Sequence, residues 1–306
     1  VQVFHATCST HLIPQAFPAL HSLSLEYAQL GDGSLFSQLA AQPNSSLTSL
    51  QLACCSLDSA AVQHAAVALG QLTSLQALHL QGADLRVDTA LAAHVTGLTS
   101  LTICDDDTGA VLGEQQVAVA VQNQGLRSLS LSSRLYSYHT LQPDLLQEVL
   151  SSCTALTQLT LTCGELDDQG LGVLLTHGTS ITDLMLGNTS LTTSKADWPC
   201  SWRKLDLYEG TLQEFAYLPL KSVQQLEVRR QRLDTSWVQL ALDSDTPAEQ
   251  LPDLLHQATR NLASCPAWLK APPSDLLLHG YVQDLTSVQR VQLLQALAPV
   301  AGMSPS

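Results

Sequence analysis

Charge is scarce in this chain, and what there is has one dominant sign. Only 13% of the 306 residues are Asp, Glu, Lys or Arg, and 27 acidic residues face 13 basic ones, for a formal net charge of −14. A surface of that sign repels phosphate, which argues against nucleic acid as the main partner unless a local basic patch exists. The only dense basic cluster is Arg229, Arg230 and Arg232. Aromatic residues make up 5% of the chain, so leucine and alanine must fill the core. No apolar run approaches the roughly 20 residues of a membrane span, and no signal peptide is visible, so no membrane partner is expected. The fingerprints of serine hydrolases, zinc peptidases, P-loop NTPases and dinucleotide-binding folds are all missing, and the ten histidines are spread singly. No catalytic residue, metal or cofactor is therefore expected.

Apolar residues amount to 45%, enough for a sizeable core. The eight cysteines (Cys8, Cys54, Cys55, Cys104, Cys153, Cys163, Cys200 and Cys265) show no CxxC spacing and are scattered along a large chain. That pattern reads as reduced, mostly buried thiols in a reducing compartment rather than as a disulfide scaffold. The expected location is intracellular, with cytoplasm, cilium and organelle all open. Two glycosylation sequons, at Asn44 and Asn188, are weak counter-evidence in a chain so rich in Ser and Thr.

Self-similarity is the dominant signal. The segment from Leu47 to Leu57 reads LxxLxLxxCxL. The same frame recurs from Leu20, Leu75, Leu98, Leu126, Leu156, Ile181, Trp202 and Val223, at steps of 21 to 30 residues. In each copy the LxL pair points to one face of a short strand and its neighbours to the other. Such a strand cannot stand alone. Stacked in parallel with its neighbours it shares hydrogen bonds and a continuous core. The ninth frame position turns the chain inward and is small in most copies, as at Ala28, Cys55, Ala83, Gly164, Thr189 and Gly210. Asp106, Arg134 and Gln231 break that rule and predict irregular turns. Helices are expected between strands: after Asp58 and Ser59, with Ala61, Val62, Ala65 and Leu69 inward; over Glu114 to Gln122; and after Asp167 and Asp168, acids well placed for the helix dipole.

These motifs resemble the leucine-rich repeat family over residues 20 to 233, closest to its ribonuclease-inhibitor-like and cysteine-containing classes. At the ninth position only Cys55 matches the cysteine class. The resemblance implies an α/β fold, a right-handed solenoid (horseshoe) with a parallel concave sheet and convex helices. It also implies a protein-binding role, with F-box substrate receptors and GTPase activators as special cases of the family.

The two ends differ from the array. Val1 and Val3 fit the strand half of a further, partial repeat, so the chain is expected to begin inside a repeat, with more chain upstream or a partner covering that end. Residues 234–306 read as a divergent, mostly helical cap. Thr246 and Pro247 open a helix carrying Leu251, Leu254, Leu255, Ala258 and Leu262 as an apolar stripe. Leu276 to Leu278 form a last strand, and Val288, Val291, Leu294 and Leu297 a final amphipathic helix.

Three clusters invite a chemical reading. Cys54, Cys104 and Cys163 fall on every second strand, so neighbours are about 10 Å apart at a strand spacing near 4.8 Å. A zinc ion needs each sulfur about 2.3 Å away, which argues against a shared site. Asp105, Asp106 and Asp107 suit a cation or, more simply, a solvated acidic turn. Asp206 and Glu227 share a frame position on successive strands, about 5 Å apart, the spacing of retaining glycosidases. Lys204 and Arg229 flank them, and a salt-bridged surface is the simpler account.

Frame positions three, five, seven and eight face the concave side. In the middle copies these are small and hydroxylated: Ser128, Ser130, Ser132, Ser133, Thr160 and Thr162. Toward the C-terminal end Asp183, Met185, Lys204, Asp206, Tyr208, Glu209, Glu227, Arg229 and Arg230 appear together. Tyr and Arg are enriched at binding hot spots. The expectation is a non-catalytic protein-interaction scaffold, a subunit of a larger assembly, meeting its partner there. The alternatives are the recognition part of an F-box ubiquitin ligase and, with no residue constellation behind it, a GTPase regulator or an enzyme.

Overall fold

Leucines that recur at fixed intervals become rows when strands stack, and the rows are the organising feature of the structure. The computed structural model describes residues 2–4, 20–42, 46–58, 60–82, 90, 92–105, 114–133, 141–195, 197–207, 212–228, 237–241, 250–266 and 275–279. It divides into two compact units, Val1–Gly164 and Glu165–Ser306.

The first unit is a parallel sheet of β1 (Gln2–Phe4), β2 (Ser22–Glu26), β4 (Ser49–Ala53), β6 (Ala77–Gly82), β7 (Ser100–Asp105), β8 (Ser128–Ser133) and the start of β9 (Gln158–Asp167), in that order. Its register follows the frame without slippage. Leu23, Leu50, Leu78, Leu101, Leu129 and Leu159 stand opposite one another in turn, and so do Leu25, Leu52, Leu80, Ile103, Leu131 and Leu161. Val3 lies opposite Leu25, which places β1 in the partial repeat. Every leucine of both rows is buried.

The strands are joined by a repeated bonding unit. The carbonyl at frame position two accepts the N–H groups of positions two and three of the next coil. His21 O takes Thr48 and Ser49, Thr48 O takes Gln76 and Ala77, Gln76 O takes Thr99 and Ser100, Thr99 O takes Arg127 and Ser128, and Arg127 O takes Thr157 and Gln158. Where position two is threonine its hydroxyl joins, as from Thr48 to His21 O (3.1 Å), Thr99 to Gln76 O (3.2 Å) and Thr157 to Arg127 O (3.2 Å). At position eight, Tyr27 (φ 54) and Cys54 (φ 51) adopt the left-handed region. Their N–H groups reach forward to Ala53 O and Gln81 O of the following coil. This is the turn that the ninth position needs. Beyond it, β3 (Gln29–Gly31) and β5 (Ser56–Leu57) form a second, two-stranded parallel sheet. The frame does not foresee it, because these strands are too short for alternation to register.

Helices back the sheet: α1 (Ser34–Ala41), α2 (Val62–Gly70), α3 (Glu114–Gln122) and α4 (Pro143–Ser152). In α2, Ala61, Ala65 and Leu69 are inward as expected, but Val62 is only half-buried, and Ala66 and Ala68 are buried in its place. The helical stripe has turned by about one residue, since Ala61 precedes the helix proper. Gly70 ends α2 at a close approach to the next coil: a Cβ there would lie 2.6 Å from His94 O. The expected irregular turns at Asp106 and Arg134 lie outside the described residues.

The second unit repeats the plan with β10 (Asp183–Ser190), β11 (Lys204–Leu207) and β12 (Gln225–Val228), where Leu184, Leu205 and Leu226 are in register. Thr182 O takes the N–H groups of Arg203 and Lys204, and Arg203 O those of Gln224 and Gln225. Helix α5 (Asp168–His177) is capped by Asp167, whose carboxylate accepts the Gly170 N–H at 2.7 Å. Helix α6 (Leu212–Tyr217) packs against α7 (Leu251–Ala263). Helix α7 carries Pro252 in its first turn, where a missing N–H costs nothing, and Thr246 and Pro247 lie outside the described residues. Leu254, Ala258 and Leu262 are buried as the stripe requires. The last strand exists as β14 (Asp275–His279), paired in parallel with β13 (Trp237–Ala241). The final helix expected around Val288 lies outside the described residues, as does the turn at Gln231. Each unit thus has the α/β plan of a leucine-rich repeat array, with parallel strands in register and helices between them.

Candidate interaction face of the second unit

Frame positions three and five of β10, β11 and β12 form a small grid on the sheet face. Asp183 stands opposite Lys204, and Lys204 opposite Gln225; Met185 stands opposite Asp206, and Asp206 opposite Glu227. Parallel pairing at about 4.8 Å brings these side chains within reach of one another. The Lys204 ammonium lies 3.3 Å from the Glu227 carboxylate, diagonally across the grid. Gln225 donates to the same Glu227 oxygen. Asp183 accepts the Thr182 hydroxyl at 2.8 Å.

Exposure sorts the grid. Asp183, Met185, Lys204 and Glu227 are half-buried, whereas Asp206 is only 2% exposed. Asp206 therefore lies beneath the face rather than on it. The expected salt-bridged surface is present, with Glu227 and Lys204 as its members. A half-exposed ion pair of this kind contributes about 0–1 kcal/mol, so it organises the face more than it stabilises the fold. Tyr208, Glu209, Arg229 and Arg230 lie outside the described residues.

The corresponding rows of the first unit differ in kind. Position five runs Ser24, Gln51, His79, Thr102, Ser130 and Thr160, and position three is mostly serine. These side chains are short and mostly uncharged. His79 is the exception in chemistry: burial pushes its imidazole below the usual range, against a smaller opposing effect of Gln81.

The cysteines are placed by the repeat. Cys54, Cys55, Cys104, Cys153, Cys200 and Cys265 form no disulfide. Among the described cysteines only Cys153 and Cys265 are buried; the other four are half-buried, against the expectation of mostly buried thiols, Cys54, Cys55 and Cys104 lying at or just beyond strand ends and Cys200 in the segment between β10 and β11. Burial pushes the Cys153 thiol up to about 11. Its Sγ donates to Ala120 O at 3.4 Å, and Cys55 Sγ donates to Leu25 O at 3.4 Å. Cys8, the Cys163 side chain, Asp106 and Asp107 lie outside the described residues.

No family model matches the chain, and no curated protein matches it either. Among solved structures it is similar to an internalin, InlF, of Listeria monocytogenes, with a TM-score of 0.46 and 15% sequence identity over 93% of this chain and 79% of that one. The fold assignment rests on the strand registers above. Among the described residues no helix is long and apolar enough to cross a membrane.

Proposed function

We propose that the chain is a non-catalytic protein-binding module, one subunit of a larger assembly, that meets its partner on the sheet face of β10 to β12. The observation that carries this reading is the change of side-chain class along the sheet. Short, mostly uncharged side chains line the first unit, and the second offers a half-exposed Met185 beside the Lys204–Glu227 pair and Asp183. Met is soft and adaptable at binding surfaces, and a fixed ion pair supplies orientation and specificity. Tyr208, Glu209, Arg229 and Arg230, next along the same frame copies, belong to the proposed face. Asp206 supports it from beneath.

A photo-crosslinking residue at Met185, compared with one at Val67 on the outer side of α2, tests the reading in native extract. The expected result is a discrete crosslinked protein from position 185 alone, lost in Lys204→Glu. Equal labelling from both positions, or a product indifferent to Lys204→Glu, overturns it. In the same proposal residues 234–306 cap the array, a role that the packing of α7 on α6 supports.

A further inference from the structure

The non-strand side of the second unit carries a separate charged feature that the sheet-face reading does not use. No lysine occurs before Lys195. Lys195 places its ammonium 4.5 Å from the centroid of the Trp198 ring. Trp198 is 41% exposed, although tryptophan is among the side chains that gain most from burial. Lys221 donates to the exposed Asp197 carboxylate next to that ring. The Lys221 bond and charge hold the Asp197 carboxyl below its usual range against desolvation, and the smallest effect comes from Arg260, which is exposed on α7 with its guanidinium 2.8 Å from His256 Nε2. A lysine on a half-exposed ring and a lysine on an exposed carboxylate thus lie within four residues of chain, 195 to 198, on a protein of net charge −14.

The backbone beneath this group is fixed. Lys195 N–H donates to Tyr217 O at 2.8 Å, and Trp198 N–H to Lys195 O at 2.9 Å. Cys200 Sγ donates to Pro219 O at 3.3 Å and lies 3.0 Å from Ser222 Oγ. Helix α7 is anchored by Asn261, which donates to Phe215 O and Leu218 O. Lys195 and Trp198 are therefore held at the backbone and α7 through Asn261, so little order need be gained on binding. Asp168 accepts from Thr192 and Thr193, and Asp253 lies seven residues before Arg260 on α7, about 10 Å along the helix.

We propose that Lys195, Trp198, Lys221 and Arg260 form a docking platform for an acidic, extended peptide segment of a partner protein. Its carboxylates take the place that Asp197 now fills, and its side-chain stems lie on the exposed part of the Trp198 ring. Charge complementarity selects the acidic partner, and the ring adds a contact that a bare anion cannot use. Asp197 acts as an internal competitor: its pair with Lys221 is exposed and screened by solvent, so a second carboxylate exchanges with it readily at that contact. The ring and the two remaining cations then decide the balance.

Fluorescence anisotropy of a labelled oligoglutamate peptide with the full chain tests the platform. Saturable binding that weakens as salt is raised is expected. The double variant Lys195→Gln and Lys221→Gln should weaken it about threefold to tenfold, and Asp197→Asn should tighten it. Arg127→Gln, an exposed cation of the first unit, should leave it unchanged. All these side chains except Lys195, which is half-buried, are exposed, and the thermal transition of each variant checks that it folds. Absence of saturable binding, equal binding by the Lys double variant, or equally tight binding of an oligothymidylate of matching charge overturns the proposal. Loss of the Met185 crosslink would refute the sheet-face reading and leave this one standing.

Discussion

Asn123 is one side chain with three backbone partners. It is buried, its Oδ1 accepts the Leu98 N–H at 2.9 Å, and its Nδ2 donates to Val95 O and Val119 O. It stands three residues before its frame start at Leu126, and Cys153 stands three before Leu156. The thiol meets one carbonyl there where the amide meets two carbonyls and an N–H. Asn123→Ala should cost about 3 kcal/mol in urea unfolding, since buried backbone groups are left unpaired. Gly70→Ala should cost about 1–3 kcal/mol, because its methyl would overlap His94 O and the coils must separate to accept it. Asp168 gives a pH signature. Partial burial pushes its carboxyl up, but donors from Thr192 and Thr193 outweigh that and hold it below the usual range. A carboxyl depressed in the folded state contributes stability that is present above its unfolded value and is lost as pH falls through the folded one. Acid titration of stability should therefore steepen below about pH 4, and Asp168→Asn should flatten that limb while leaving the shape above pH 5 unchanged.

At the scale of elements, what was legible in the sequence was what repeats with period two. Nine frame starts correspond to nine strands, and within each unit their leucines are in register, because a one-residue slip would turn every leucine outward. Helix α5 was legible too, since Asp167 and Asp168 mark its start chemically; Asp167→Ala should cost about 1 kcal/mol, measurable as a lower thermal midpoint. What escaped lacked either signal. The β3 and β5 strands are two or three residues long. Strand β13 carries no frame, and its pairing with β14 spans a helix. On the candidate face, membership could be read from frame positions, but depth could not: Asp206 and Glu227 occupy equivalent positions, yet one is buried and the other half-exposed. Neighbouring side chains decide that difference, and a frame does not contain them.

For the whole molecule, composition sets solution behaviour. With a pI of about 4.9, solubility should pass through a minimum near that pH and recover above neutrality, a point that turbidity against pH would settle. Within each unit the bonding between coils has a further consequence. In the first unit, each coil offers its neighbour the same set: one carbonyl at position two and, in the first coils, one N–H at position eight. Upper and lower edges are therefore interchangeable from coil to coil. Tandem duplication or excision of one whole coil, such as residues 98–125, keeps the position-two carbonyls paired and the leucine rows in step, although excision of that coil loses the Asn123 bond to Val95 O. Gene rearrangement can lengthen or shorten such an array in whole coils, while a change of a single residue inside a strand cannot be absorbed.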